Sequence, residues 1–233
     1  MRAVILQPGY LPWLGFFEQL QEADVFVIYD DVQFDRRGWR NRNRIKGPDG
    51  ELWLTVPVIQ KGRFGQKVHQ VDIEDQHAWR RKHVESLRRC YSRARYFKRY
   101  FAPIADVIMK PYRKLVDLDI SLIYLLAEMT GQPSTKFRRS SELVVTGGRT
   151  SRLLNICRAL GADEYYTGAA ARNYFDMILF SDAGIKVEFQ DFHHPVYKQL
   201  FGEFLPYLSL VDLLFNTGDA AGEIIASGGR RGV

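Results

Sequence analysis

The sequence predicts an α/β fold: an open, mostly parallel sheet with a helical insertion or subdomain over roughly residues 75–131, all within a single unit spanning 1–233. Two observations predict it. The apolar run Ala3–Leu6 enters the Pro/Gly loop Gln7–Gly15, an amphipathic segment follows, and a second apolar run, Val25–Tyr29, ends on a polar loop. Strand, loop, helix and strand in this order open a parallel sheet, whose ligands sit beyond the carboxyl ends of the strands. After a long helical middle, short apolar runs alternating with helical segments return, as in the other half of such a sheet.

The remaining elements follow from local chemistry. Arg42–Lys46 and Leu52–Val58 flank Gly47-Pro-Asp-Gly50, a turn signal that predicts a hairpin. Val68–Ile73 is expected as a short strand. Helices are expected over 75–92, 96–110 and 112–130, with Pro111 as a break. Lys136–Phe137 and Glu142–Val145 read as extended. Ser151–Leu160 reads as a helix closed by Gly161, Glu164–Thr167 as a strand, Ala169–Asp182 as a helix, Lys186–Phe189 as a strand and Leu208–Phe215 as a final helix. The Gly/Arg tail from Ser227 is expected to fray.

Composition bounds the class. A 233-residue chain with 46% hydrophobic and 13% aromatic residues can bury a substantial core. No run of about 18 apolar residues predicts a membrane span, and Gln7-Pro8 interrupts the N-terminal apolar run before any signal-peptide pattern develops. Cys90 and Cys157 lack metal or redox spacing and read as packed thiols of a reducing, cytoplasmic compartment. The net charge of +6 is uneven, with six Arg or Lys between Arg36 and Lys46 and a second cationic stretch from Arg80 to Arg99. The second stretch reads as a solvated helix exterior. In the first, Trp39, Asn41 and Asn43 interleave with the arginines just after a strand end, which fits an anionic ligand.

Gln7, Tyr10 and Gly15 lie in the first strand-to-helix turn, where free N–H groups attract anions. Arg36, Arg37, Arg42 and Arg44 are placed to supply paired hydrogen bonds to phosphate. Asp30 and Asp31 end the second strand; they either bind ligand or pair with neighbouring arginines, and Asp31 is a candidate general base. Ser151 and Tyr166 sit at further junctions, Ser151 with a helix-capping alternative. His194, in His193-His194-Pro195, is a candidate for proton transfer, and Tyr197 and Gln199 for recognition. His69, His77 and His83 lack metal-ligand spacing, and no metal site is expected.

The stretch Gly15–Phe34 resembles the opening of pantothenate synthetase and related nucleotidylyltransferases, which place His-x-Gly-His at this turn to hold ATP phosphates. Here the matching positions are Trp13-Leu-Gly-Phe16, so the glycine remains without the histidines, and no Lys-Met-Ser-Lys-Ser loop follows. That resemblance implies a nucleotidylyltransferase-like (HUP, Rossmann-like) sheet. A fuller resemblance, to the WbqC-like family, rests on Gln7-Pro-x-Tyr-x-Pro-x-x-Gly15, Asp31-x-Gln-Phe34, Trp39-x-Asn-Arg-Asn43 and Trp53-Leu-Thr-Val-Pro57. It continues through Ser140-Ser141, Gly161-Ala162, Tyr166-x-Gly168, Tyr197-x-Gln199 and Leu208-Ser-x-x-Asp212.

The family likeness implies a place in bacterial surface-polysaccharide or secondary-metabolite pathways. The expected activity is therefore group transfer on a phosphorylated or nucleotide-linked small molecule, with an amino sugar or amine precursor as acceptor. A nucleotide or nucleotide-linked donor is the expected cofactor class. The alternatives are a non-catalytic RNA- or carrier-binding protein, since arginines beside tryptophan stack on bases, and an enzyme fold that has lost its chemistry.

Overall fold

The computed structural model describes residues 1–76, 78–131, 135–173 and 175–229. Five strands form one sheet in the order β5 (Lys136–Arg139), β2 (Val25–Ile28), β1 (Arg2–Leu6), β6 (Glu164–Thr167) and β7 (Lys186–Phe189). Every pairing in it is parallel, with Val4 level with Phe26 on one side and with Tyr166 on the other. The chain crosses outward from β1 first to β2 and later to β6. The sheet therefore has its topological switch point at the carboxyl end of β1, where such sheets hold ligands.

Alternation along β1 assigns the two faces. Val4 joins the larger core with Phe26, Ile28 and Tyr166; Ala3 and Ile5 join the smaller one with Val25, Val27 and Tyr165. Helices α1 (Leu14–Gln21), α4 (Leu115–Met129), α7 (Leu210–Thr217) and α8 (Ala221–Gly229) cover the first face. Helices α5 (Arg149–Leu160) and α6 (Met177–Ser181) cover the second. The expected helical insertion is α2 (Trp79–Tyr91), α3 (Phe97–Met109) and α4, between the hairpin β3 (Arg42–Gly47), β4 (Gly50–Thr55) and strand β5.

Several local expectations change. Val68–Gln70 is a 3-10 turn, because Val68 and His69 donate to the Val32 and Asp30 carbonyls instead of to a ladder. Ser140–Glu142 is also a 3-10 turn, wrapped around the Asp30 carboxylate. The helix expected over 169–182 splits, and α6 starts only where the Asp176 carboxylate caps the Leu179 N–H. Gly161 ends α5 in the left-handed conformation at φ +70°, as its position predicts. The expected fraying is corrected in part: residues 227–229 belong to α8, and 230–233 lie outside the described residues, as does His77.

Cys90 and Cys157 are buried and unpaired, and burial pushes the Cys157 thiol up to about 12. No helix among the described residues is long and apolar enough to cross a membrane.

Candidate functional site at the carboxyl end of the first strand

A cavity of about 430 Å³ opens at the switch point. Leu6 and Gln7 at the end of β1, Gly9, Pro12 and Trp13 in the loop, and Phe16 and Gln19 on α1 form its floor and one wall. Trp39, Arg40, Asn43 and Arg44 form the opposite wall, and Tyr207 closes it from the C-terminal segment. Size and aromatic lining suit a small organic ligand. Arg40 and Arg44 line the cavity and no Asp or Glu does; Arg44 pairs with Glu51 outside the lining, so Arg40 is the cation that biases the field toward an anion.

The walls are held by backbone bonds across long sequence distances. Tyr10 N–H donates to Arg40 O, Ser209 N–H to Arg44 O and Leu210 N–H to Pro12 O, at 3.0, 2.8 and 2.9 Å. The buried Asn43 amide donates to Leu11 O at 2.8 Å and Asn41 to Val56 O at 2.8 Å. These bonds hold Leu11 at φ +45°, while Arg44 donates to the carbonyl of Tyr207, itself at φ +60°. Each left-handed non-glycine residue costs about 1–2 kcal/mol, a cost often found beside binding sites. Gly15 carries the Trp13 indole directly on its backbone; a Cβ there would lie 2.3 Å from the ring.

Arg40 is the cation of greatest interest. Its Nη1 donates to Gln7 O at 2.8 Å and Pro8 O at 3.2 Å, and no carboxylate lies within ion-pair distance of it among the described residues. Burial lowers its pKa, opposed by the more distant Asp119 and Asp35. Behind it, α4 carries Asp119, fully buried with neither oxygen hydrogen-bonded. Burial raises the Asp119 carboxyl well above the usual range, which favours its neutral form. Beside it the Tyr10 hydroxyl bonds His83 Nδ1 at 2.9 Å; burial lowers the His83 pKa to about 4.

Of the residues expected from sequence, Gln7, Trp39, Asn43 and Arg44 line the cavity, and Gly15 and Tyr10 lie immediately behind its loop wall. Arg42 stacks on Trp53 and bonds Gly38 O, and Arg36 stacks on Phe64 and bonds Arg63 O; both lie outside the lining. Asp31 pairs with Arg152 and accepts from Ser140 Oγ. Asp30 is fully buried and receives Arg139 Nε, the Ser141 N–H and the Ser141 hydroxyl. Ser151 Oγ bonds the Gly148 backbone in the first turn of α5.

Tyr197 and Gln199 donate to the buried Asp212, which also takes Tyr91 OH, so they fix the C-terminal segment. Tyr166 donates to Glu18 under the sheet. His194 stacks edge-on to Tyr207 behind the cavity wall, with Nε2 unpartnered and burial lowering its pKa. Arg40, Gln19, Trp13 and Tyr207 are among the lining residues that sequence reasoning did not select. Their common signal is tertiary, because each is placed by a partner far along the chain.

An open, wholly parallel α/β sheet, with an aromatic, arginine-bearing cavity at its switch point, defines a protein of the Rossmann-like α/β class. The chain belongs to the WbqC-like protein family, whose model matches residues 7–224. It is similar to the uncharacterized protein Rv1507c of Mycobacterium tuberculosis (strain ATCC 25618 / H37Rv), 40% identical over 225 residues covering 94% of this chain and 95% of that one. No solved structure matches the chain.

Proposed function

We propose that the chain is a group-transfer enzyme, of acyl, aminoacyl or nucleotidyl type, that seats a phosphorylated or nucleotide-linked small molecule in this cavity. The acceptor is an amino sugar or amine precursor of a surface polysaccharide or secondary metabolite, a reading that leans on the family resemblance. One observation carries the binding claim: Arg40 is a largely desolvated guanidinium, without an ion-pair partner among the described residues, on a cavity that no carboxylate lines. A desolvated cation of this kind is costly until an anion meets it. His194, unpartnered at Nε2 behind Tyr207, is the group proposed to take the proton released by the amine. Asp31, engaged by Arg152 and Ser140, is proposed to hold the β2 loop in place.

The test is a thermal-shift and calorimetric screen of nucleotides, nucleotide sugars and acyl-CoA compounds with the unmodified protein and Arg40→Ala. The variant should lose about 2 kcal/mol of affinity, roughly thirtyfold. An unchanged dissociation constant would remove Arg40 from the site.

A second reading, RNA binding, is favoured by one surface. Trp39 and Trp53 stack at 5.1 Å while each stays 44% exposed, with Arg42 and Arg44 over their rings. If RNA is the ligand, affinity should fall steeply with salt and drop in Trp53→Ala. A cavity ligand should show neither effect.

A further inference from the structure

A buried amide chain under the cavity fixes which atom of Gln19 is left for a ligand. Gln190, just after β7, donates from Nε2 to the Gly15 carbonyl at 2.8 Å and to the Glu18 carboxylate. A backbone carbonyl can only accept, so this end of Gln190 is its NH2 group and its Oε1 points the other way. Gln19 Nε2 donates to that oxygen at 3.2 Å. Gln19 is therefore oriented in turn, and its own Oε1 is left buried with no hydrogen-bond partner. The backbone N–H of Gln190, bonded to Thr167 O at 2.7 Å, anchors the chain of amides to the sheet.

Gln19 lines the cavity, as does Gln7, whose side-chain amide makes no hydrogen bond among the described residues. Buried acceptors without partners are rare in folded proteins, because each keeps the full penalty of its lost hydration. The missing partner is an N–H or O–H donor. It is a neutral donor, because a cation would share a cavity that holds Arg40, which has no ion-pair partner among the described residues, and whose lining has no carboxylate.

We infer that Gln19 and Gln7 form a base-recognition subsite for the imide edge of a uracil or thymine nucleotide. The imide presents one neutral N–H between two carbonyl oxygens. The buried Gln19 Oε1, uncovered as the Trp13 and Phe16 wall gives way to the base, takes the N3–H. A Gln7 amide hydrogen meets an adjoining carbonyl, and Phe16, Pro12 and Trp13 contact the ring. The diphosphate lies toward Arg40 and Arg44. This rests on the anion-site reading above and narrows its ligand to uridine or thymidine diphosphate derivatives.

The deciding experiment is calorimetric titration with UDP, dTDP, CDP and N3-methyl-UDP, in which a methyl group replaces the imide hydrogen. The unmodified protein should bind UDP and dTDP at least about tenfold tighter than N3-methyl-UDP, in keeping with the loss of one well-placed hydrogen bond. CDP, which offers N3 as an acceptor, should resemble the methylated ligand. In Gln19→Met the preference should vanish, with UDP falling to the level of N3-methyl-UDP. Equal affinity of the unmodified protein for UDP and N3-methyl-UDP would overturn the imide subsite and leave the anion site standing. Binding of none of the four would overturn both. If Gln19→Met fails to fold, the methylated nucleotide decides the matter with the unmodified protein alone.

Discussion

Asp119 and His83 lie in one buried cluster beside Tyr10, and burial shifts them in ways that act oppositely on stability. His83 titrates lower folded than unfolded, so the unfolded chain binds more protons between pH 6.5 and about 4. Its contribution is intact above pH 6.5 and is lost as pH falls through that window. His83→Gln should flatten the acid limb by about 3 kcal/mol in urea titrations between pH 7 and pH 4. Asp119 is raised, so the folded state binds its proton more tightly and stability is lost as pH climbs above 3.8. Asp119→Asn should therefore stabilise the protein at pH 7, with the gain disappearing near pH 3. At β2, Asp30→Ala leaves the Arg139 guanidinium without its buried carboxylate and should cost about 3–5 kcal/mol, read as a lower urea midpoint. Strand-end position made Gln7, Trp39 and Asn43 legible in the sequence. Arg40 looks the same there as Arg36, Arg37 and Arg42. Only the fold shows that Arg36 and Arg42 stack on Phe64 and Trp53 while Arg40 enters the cavity. Gln19 was invisible because its orientation depends on Gln190, which lies far along the chain.

Among the elements, β1 and β2 were the most readable, since each is a short apolar run bounded by polar turns. Helix α8 was not, because its sequence, Ala221–Gly229, is rich in glycine and its last turn, from Ser227, reads as tail. Those glycines are what seat it. A Cβ at Gly222 would lie 2.6 Å from the Thr130 carbonyl at the end of α4, and one at Gly229 would meet Glu18 on α1. Gly222→Ala should therefore lift α8 from its seat and lower the melting temperature, although alanine favours an isolated helix by about 1 kcal/mol. A rise in Tm would show that α8 tolerates a looser seat. Similar reasoning explains the broken helix at 169–182: the periodicity is helical, but α6 begins afresh at the Asp176 cap.

Across the whole molecule, the charge of +6 is distributed between two different environments. Exposed cations on α2, such as Arg81 and Arg88, face water and are screened by salt. Arg40 and Arg44 sit in a partly enclosed, aromatic-walled space where screening is weak. Binding of a nucleotide in the cavity should thus lose about tenfold or less in affinity between 50 and 200 mM salt, whereas an RNA spread over six or more phosphate contacts should lose about 10³-fold or more. The placement of the four tryptophans has a practical consequence. Trp13 and Trp39 line the cavity and Trp53 stacks at its rim, while Trp79 is enclosed beneath the helices. If the proposed ligand seats there, the emission of three of the four native fluorophores changes and that of the fourth does not, so the unlabelled protein carries its own optical sensor for the test.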